Sequence, residues 1–275
     1  MAEMEHYPNF QKDNYIHPKA AWDKLRMAGA RRHNVYLYAA TGYGKTELLH
    51  RYLRRRRHIW LSGEGLTVET LQEIALPAEA TMVIDDLARV LDPAVRRGIV
   101  SMLDQPGLWL VLAGRCPLPS WLTGPYVNGR LSVIPEEDLR LSEKEIAQLY
   151  LSWGVQLPRN LLEKRIIPLV EGSPLGARLL ALEMSQGSSY TEELINDLTR
   201  KFYEYLNQAI YSEWPEEIRE MMMQLSLLEH FTIQQAEEMV QIDEQVGRHF
   251  GVFEPSGKKL PQQREGPDFQ LPVGG

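Results

Sequence analysis

The run Ala39-Ala40-Thr41-Gly42-Tyr43-Gly44-Lys45-Thr46 has the residue types and spacing that hold a phosphate. It fits G-x-x-x-x-G-K-[ST] except at the first glycine, where Ala39 stands. Backbone N–H groups must wrap an anion here, which requires small residues and permissive dihedrals at Gly42 and Gly44. Lys45 puts a point charge on the β- and γ-phosphates, and the Thr46 hydroxyl is offered to Mg2+. A helix opening at about Lys45 aims its N-terminal dipole at the same anion and carries Glu47 on its first turn. The candidate nucleotide-binding residues of this segment are Thr41, Gly42, Tyr43, Gly44, Lys45, Thr46 and Glu47.

A second acidic element is Met82-Val83-Ile84-Asp85-Asp86, an apolar run ending in two carboxylates. Asp85 at a strand end beside Thr46 can hold Mg2+ through water, so Thr46 and Asp85 form the candidate metal pair. Asp86 stands where many such ATPases carry the glutamate that orients the attacking water. Aspartate is one methylene shorter, so hydrolysis is expected to be slow. A later apolar run ends in Ala113-Gly114-Arg115, and an arginine there can reach a γ-phosphate. Arg115 can equally cap the strand end or pair with a surface acid. Asp86 and Arg115 are the candidate catalytic residues. No Asn is followed by Lys, as the guanine-reading Asn-Lys-x-Asp pattern requires, which leaves ATP or ADP by elimination.

These groups need a scaffold, and hydrophobic patterning supplies one. Short apolar runs at Val35–Tyr38, Ile59–Leu61, Met82–Ile84, Leu108–Leu112 and Leu131–Ile134 alternate with helical stretches, the pattern of a parallel α/β sheet. Four of the runs are nearly uniformly apolar, as for strands covered on both faces. The position of Ile59-Trp60-Leu61 implies an extra strand inserted between the loop strand and the acidic strand. After about Pro135 the pattern turns helical. Ser142 with Glu145 makes a capping box, and further helices are expected over Pro158–Val170, from Pro174, over Thr191–Ser212 and from Pro215, with a second capping box at Thr232 and Gln235. The last stretch, Gly251–Gly275, is polar and Gly/Pro-rich, with apolar pieces at Val252-Phe253 and Phe269-Gln270-Leu271 that read as a β-ribbon or a frayed end.

Composition sets the outer bounds. The chain has 275 residues, 44% hydrophobic and 24% charged, enough for a packed core and about two domains. Its 30 basic and 37 acidic residues give a net charge of −7, unsuited to binding DNA or anionic membrane over the whole surface. The single cysteine, Cys116, excludes an intramolecular disulfide and reads as an inert thiol. With no signal-like segment and no long apolar run, the expected location is cytoplasmic.

Taken in order, the motifs resemble the nucleotide-binding oligomerisation core of STAND signal-transduction ATPases. The similarity is to the maltose-operon-activator-like branch of large LuxR-type bacterial regulators. It is carried by Ala39–Thr46, Ile59–Ser62, Val83–Asp86, Leu110–Arg115, Asp138–Ser142, Gly172-Ser173-Pro174 and Gln224–Phe231. The resemblance implies an ATPase domain over 1–135, a helical domain over 136–212 and a winged-helix-like domain over 213–275. It also implies that Pro174 packs near the adenine and diphosphate, and that the segment around Ile16-His17-Pro18 contacts the base. The implied activity is a switch: ADP holds the domains closed, and ATP with an inducer opens them for self-association. Moving such a switch from 1:99 to 99:1 takes about 5.5 kcal/mol of differential binding. DNA binding would belong to a segment outside this chain, so the 275 residues read as a core cut from a longer regulator.

Other features invite weaker readings. Arg51 and Arg54–Arg57 with His58 form a basic cluster, read as the last turn of the helix after the loop, where cations complement the dipole. Met221–Met223 reads as core. The 7 histidines have no metal-ligand spacing, and His249 has no motif tying it to a phosphate. Two rival functions remain: a P-loop kinase or steadily turning-over ATPase, and a scaffold with a structural nucleotide.

Overall fold

Successive residues of one strand, Val35 and Tyr36, are both buried but in opposite cores, and this decides the architecture. A computed structural model describes residues 14–77, 79–187, 191–209, 216, 219–220, 223, 230–231 and 269–270. The chain divides into two compact units, Met1–Leu194 and Ile195–Gly275.

In the first unit the elements run α1 (Lys19–Arg31), β1 (Asn34–Tyr38), α2 (Lys45–Leu53), β2 (Ile59–Ser62), α3 (Val68–Glu73), β3 (Ala80–Asp85), α4 (Pro93–Met102), β4 (Leu108–Gly114), α5 (Ser120–Val127) and β5 (Leu131–Ile134). The five strands form one parallel sheet in the order β2-β3-β4-β1-β5. Val35, Leu37, Val83, Val111 and Ala113 face α1 and α2, while Tyr36, Met82, Ile84, Leu110 and Leu112 face the core built with α4 and α5. A strand covered on both faces must be apolar at every position rather than at alternate ones.

The five expected strands form, with one correction. The strand between the loop strand β1 and the acidic strand β3 is β4, and β2 lies at the sheet edge. Burial explains the exchange. All seven residues of β4 are buried, whereas the four of β2 are half-buried or exposed. Burying a large apolar side chain is worth about 1.5–3 kcal/mol, so the strand with the fullest apolar run takes the centre. Only β1, β3 and β4 are covered nearly throughout, since β5 at the other edge has two half-buried residues.

Beneath the site, Asn34 pins the sheet. Its amide donates to the Leu103 and Arg130 carbonyls at 2.9 and 3.2 Å and accepts from Leu110 N–H at 2.9 Å. The buried Trp109 indole donates to the His33 carbonyl at 2.9 Å, so this side chain, like Asn34, has its partner.

Helices follow: α6 (Glu136–Leu139), α7 (Glu143–Ser152), α8 (Arg159–Leu161), α9 (Ile167–Val170), α10 (Pro174–Ser185) and α11 (Glu192–Ala209). The Ser142–Glu145 capping box opens α7 as its spacing requires. The helix expected over Pro158–Val170 is interrupted by a π-helical turn, Leu162–Ile166. Pro168 cannot donate a backbone N–H, so the regular ladder cannot run through it. Among the described residues no helix is long and apolar enough to cross a membrane.

In the second unit a short antiparallel pair, β6 (His230–Phe231) with β7 (Phe269–Gln270), is described. The apolar piece at Phe269-Gln270 is therefore a strand residue pair. Met223 is 56% exposed, against its reading as core. Of the helix expected from Pro215, the described residues Glu216, Arg219, Glu220 and Met223 are helical, while the Thr232–Gln235 capping box, His249 and Val252-Phe253 lie outside the described residues.

Candidate functional site

The C-terminal ends of β1, β3 and β4 lie side by side, as a parallel sheet with helices on both faces requires. The loop leaving β1 turns through Gly42 (φ 94°) and Gly44 (φ 72°), both in the left-handed region, and Gly44 caps α2. A Cβ at Gly44 would meet no atom within 4 Å, so its glycine serves backbone conformation alone. At Gly42 the constraint is double, because a Cβ would also lie 3.1 Å from Leu175.

Lys45 is buried and folds back over the loop, its ammonium donating to the Ala39 and Ala40 carbonyls at 2.6 and 3.0 Å. Burial pulls the Lys45 pKa below the usual lysine range, against the opposing pull of Asp85. Thr46 Oγ1 donates to Asp85 Oδ2 at 2.7 Å, and Asp85 Oδ1 accepts from Asp86 N–H at 2.8 Å. A hydroxyl and a carboxylate so joined are oxygen donors of the kind a hard divalent cation takes together with phosphate and water. The pair fits Mg2+.

Asp86 adopts a left-handed conformation (φ 51°) at the turn after β3. Its carboxylate lies 3.4 Å from Arg115 Nε, which the end of β4 brings across. Arg115 thus pairs with an acid, and the acid is the other candidate catalytic residue. Gly63, just past β2, makes this turn fit: its N–H donates to the Asp85 carbonyl at 2.7 Å, and a Cβ there would lie 2.4 Å from the Asp86 carbonyl oxygen.

Glu47 accepts from Arg51 Nε at 2.6 Å, and the Arg51 guanidinium lies 4.4 Å over the Tyr15 ring. Burial, with Glu47 adding to it, raises the Tyr15 hydroxyl pKa. Arg178 of α10 also feels Glu47. His17 packs against Trp22 of α1 with the rings tilted by 36° at 4.5 Å between centres. Pro174 is the first residue of α10, behind Ser173, whose hydroxyl accepts from Gly176 N–H at 3.2 Å. The next residue makes the link to the loop: Leu175 N–H donates to the Gly42 carbonyl at 3.2 Å.

On the other side of the loop stands a residue that motif reading misses. Glu136, opening α6, accepts from Ala40 N–H at 2.9 Å and from Arg140 at 3.3 Å, and burial, with Glu136 adding to it, raises the Tyr43 hydroxyl pKa. Nothing in the spacing of Glu136 from the loop signals this. Tyr15, Gly63, Leu175 and Arg178 escape sequence reading for the same reason. Arg54–Arg57 and His58 are exposed beyond the end of α2, so only Arg51 lies on its last turn, a correction to the helix-end reading. Cys116 is exposed, with Tyr36 donating to its carbonyl at 2.6 Å.

The sheet order and phosphate loop are those of a P-loop ATPase fold. No protein-family model matches the chain, and no curated protein matches it. Solved structures do. It is similar to a Walker-type ATPase of Pyrococcus abyssi, with a TM-score of 0.59 and 11% identity over 90% of this chain and 91% of that one. It is also similar to the Thermotoga maritima RuvB Holliday junction branch migration motor, with a TM-score of 0.51 and 17% identity over 86% and 85% of the two chains. At these identities the likeness concerns the fold.

Proposed function

We propose that the chain is an ATP/ADP-binding signal-transduction switch of the STAND class, cytoplasmic, with slow hydrolysis secondary to nucleotide-gated self-association. The observation that carries the reading is the Leu175 N–H to Gly42 carbonyl bond, which joins the first turn of α10 directly to the phosphate loop. A loop that must adapt to phosphate and a helix bonded to that loop respond together, which is the coupling a switch needs.

Each candidate residue has a role in this reading. The loop amides from Thr41 to Thr46 and the Lys45 ammonium bind the phosphates, and Glu47 holds Arg51 beside them. Thr46 and Asp85 would hold Mg2+, whose chemistry is to neutralise phosphate charge. Asp86 orients water, and Arg115 reaches the terminal phosphate only by leaving Asp86. That exchange supports slow turnover, because the resting pair occupies both groups. Pro174 presets the start of α10, and His17 supports the wall beside the base.

The ATPase domain is assigned to 1–135, a helical domain to 136–212 and a winged-helix-like domain to 213–275. Within a bacterial transcriptional regulator, DNA would be bound by a segment other than this chain, in response to an inducer.

The test is mass and turnover in defined nucleotide. Protein carrying ADP should be monomeric by light scattering and should assemble with Mg-ATP, at well under about one turnover per second. Lys45→Ala should abolish both nucleotide binding and assembly. Equal mass in ADP and ATP, or turnover at that rate or above, would overturn the switch in favour of an ordinary ATPase.

A further inference from the structure

The loop bears a permanent anion of its own. Glu136 comes from the turn after β5, yet its carboxylate sits on Ala40 N–H at 2.9 Å, immediately before the amides from Thr41 to Thr46 that the nucleotide reading assigns to phosphate. It is half-buried and paired with Arg140, 3.3 Å away and itself more exposed. The same segment is tied to the turn just before α10: Leu141, next to Arg140, donates its N–H to the Gly172 carbonyl at 2.8 Å. Glu136 cannot easily swing away while these contacts hold.

We propose that Glu136 sets the preference of this site between nucleoside triphosphate and diphosphate, its fixed carboxylate opposing the additional charge of a terminal phosphate while Arg140 offsets part of that opposition. The inference rests on the nucleotide-binding reading above. Ala40 joins the two groups: the Lys45 ammonium donates to its carbonyl at 3.0 Å and its N–H donates to Glu136 at 2.9 Å. A carboxylate held there repels a phosphate docked on that ammonium, since like charges at close range oppose one another. The triphosphate carries one more negative charge than the diphosphate, so the opposition is larger for the triphosphate. Across partly desolvated protein at this range, one unit charge changes binding by roughly three- to tenfold. The site is then biased towards the diphosphate, and the bias is adjustable from outside, since anything that displaces Glu136 from Ala40 or reinforces Arg140 admits the triphosphate.

The experiment measures dissociation constants for Mg-ATP and Mg-ADP by titration calorimetry on the full chain. The variants are Glu136→Gln, Arg140→Gln and the double substitution. Glutamine keeps an oxygen for Ala40 N–H and removes only the charge. Glu136→Gln should raise the ATP-over-ADP preference roughly three- to tenfold. Arg140→Gln should lower it, and the double variant should lie between the two. The opposite signs separate a charge effect from a structural one, which would shift both variants the same way. Equal factors for ATP and ADP, or a same-direction change in both variants, overturn the proposal. A wild-type chain that binds neither nucleotide overturns the nucleotide reading itself; one that binds both with an unresponsive ratio overturns only the role of Glu136.

Discussion

Thr46 and Asp85 are joined by a 2.7 Å hydrogen bond from the hydroxyl to the carboxylate, linking the first turn of α2 to the end of β3. These residues lie on elements separated in sequence by β2 and α3, and the sheet alone brings them together. The bond fixes a hydroxyl and a carboxylate as one oxygen site beside the buried Lys45.

If the pair acts as one cation site, Thr46→Val and Asp85→Asn should each raise the Mg2+ concentration needed for nucleotide binding by about tenfold or more, since hydrogen bonds to charged groups are worth roughly 1.5–3 kcal/mol. The double variant should be little worse than either single one, because the two groups share one role. Magnesium titration of nucleotide binding reads this. Fully additive losses would mean that the residues act separately.

Two glycines should fail in different ways. Gly63→Ala puts a methyl 2.4 Å from the Asp86 carbonyl oxygen, so backbone must move, at a cost of about 1–3 kcal/mol. Gly44→Ala meets nothing within 4 Å, and its cost is the left-handed backbone, about 1–2 kcal/mol. Urea denaturation measures both. Gly63→Ala should in addition slow turnover, because the displaced atoms belong to Asp86.

Asn34 holds three backbone groups from three other segments. Asn34→Ala leaves the Leu110 N–H and the Leu103 carbonyl buried without that partner, at about 1–3 kcal/mol each. Asn34→Asp should be no better, since a carboxylate would face two carbonyl oxygens. Denaturant midpoints should fall sharply for both while nucleotide affinity in the folded protein is retained.

His50 lies flat on Trp60, 4.0 Å between ring centres at 8°. Burial holds its pKa below the ordinary 6.5, with Glu47 the largest opposing influence and His58 adding to the depression. The unfolded chain therefore takes up this proton more readily than the folded one. Stability is full above pH 6.5 and is lost as the pH falls through the depressed value. His50→Phe keeps the stacking and should flatten this acid limb in melting curves between neutral pH and about pH 5. An unchanged slope would place the acid sensitivity elsewhere.

Local pattern made much of this legible. The five strand runs, the glycines of the loop and the Ser142–Glu145 cap act through neighbours within a few residues, and Lys45, Thr46 and the Asp85-Asp86 strand end stand in short local motifs. Periodicity and spacing therefore report them directly. The place of β2 was not legible, since strand order follows from which run needs cover on both faces and both edges.

The sequence by itself determined the phosphate loop and the parallel α/β sheet, because backbone dihedral demands and alternating burial are short-range and leave a regular imprint on residue type. Only the tertiary structure decided what touches the loop. Glu136 on Ala40, Leu175 on Gly42, Arg115 on Asp86 and Gly63 under the Asp86 turn are contacts between segments distant in the chain. Such contacts depend on how helices and strands pack, and packing leaves no periodic mark by which one carboxylate among 37 acidic residues could be singled out beforehand.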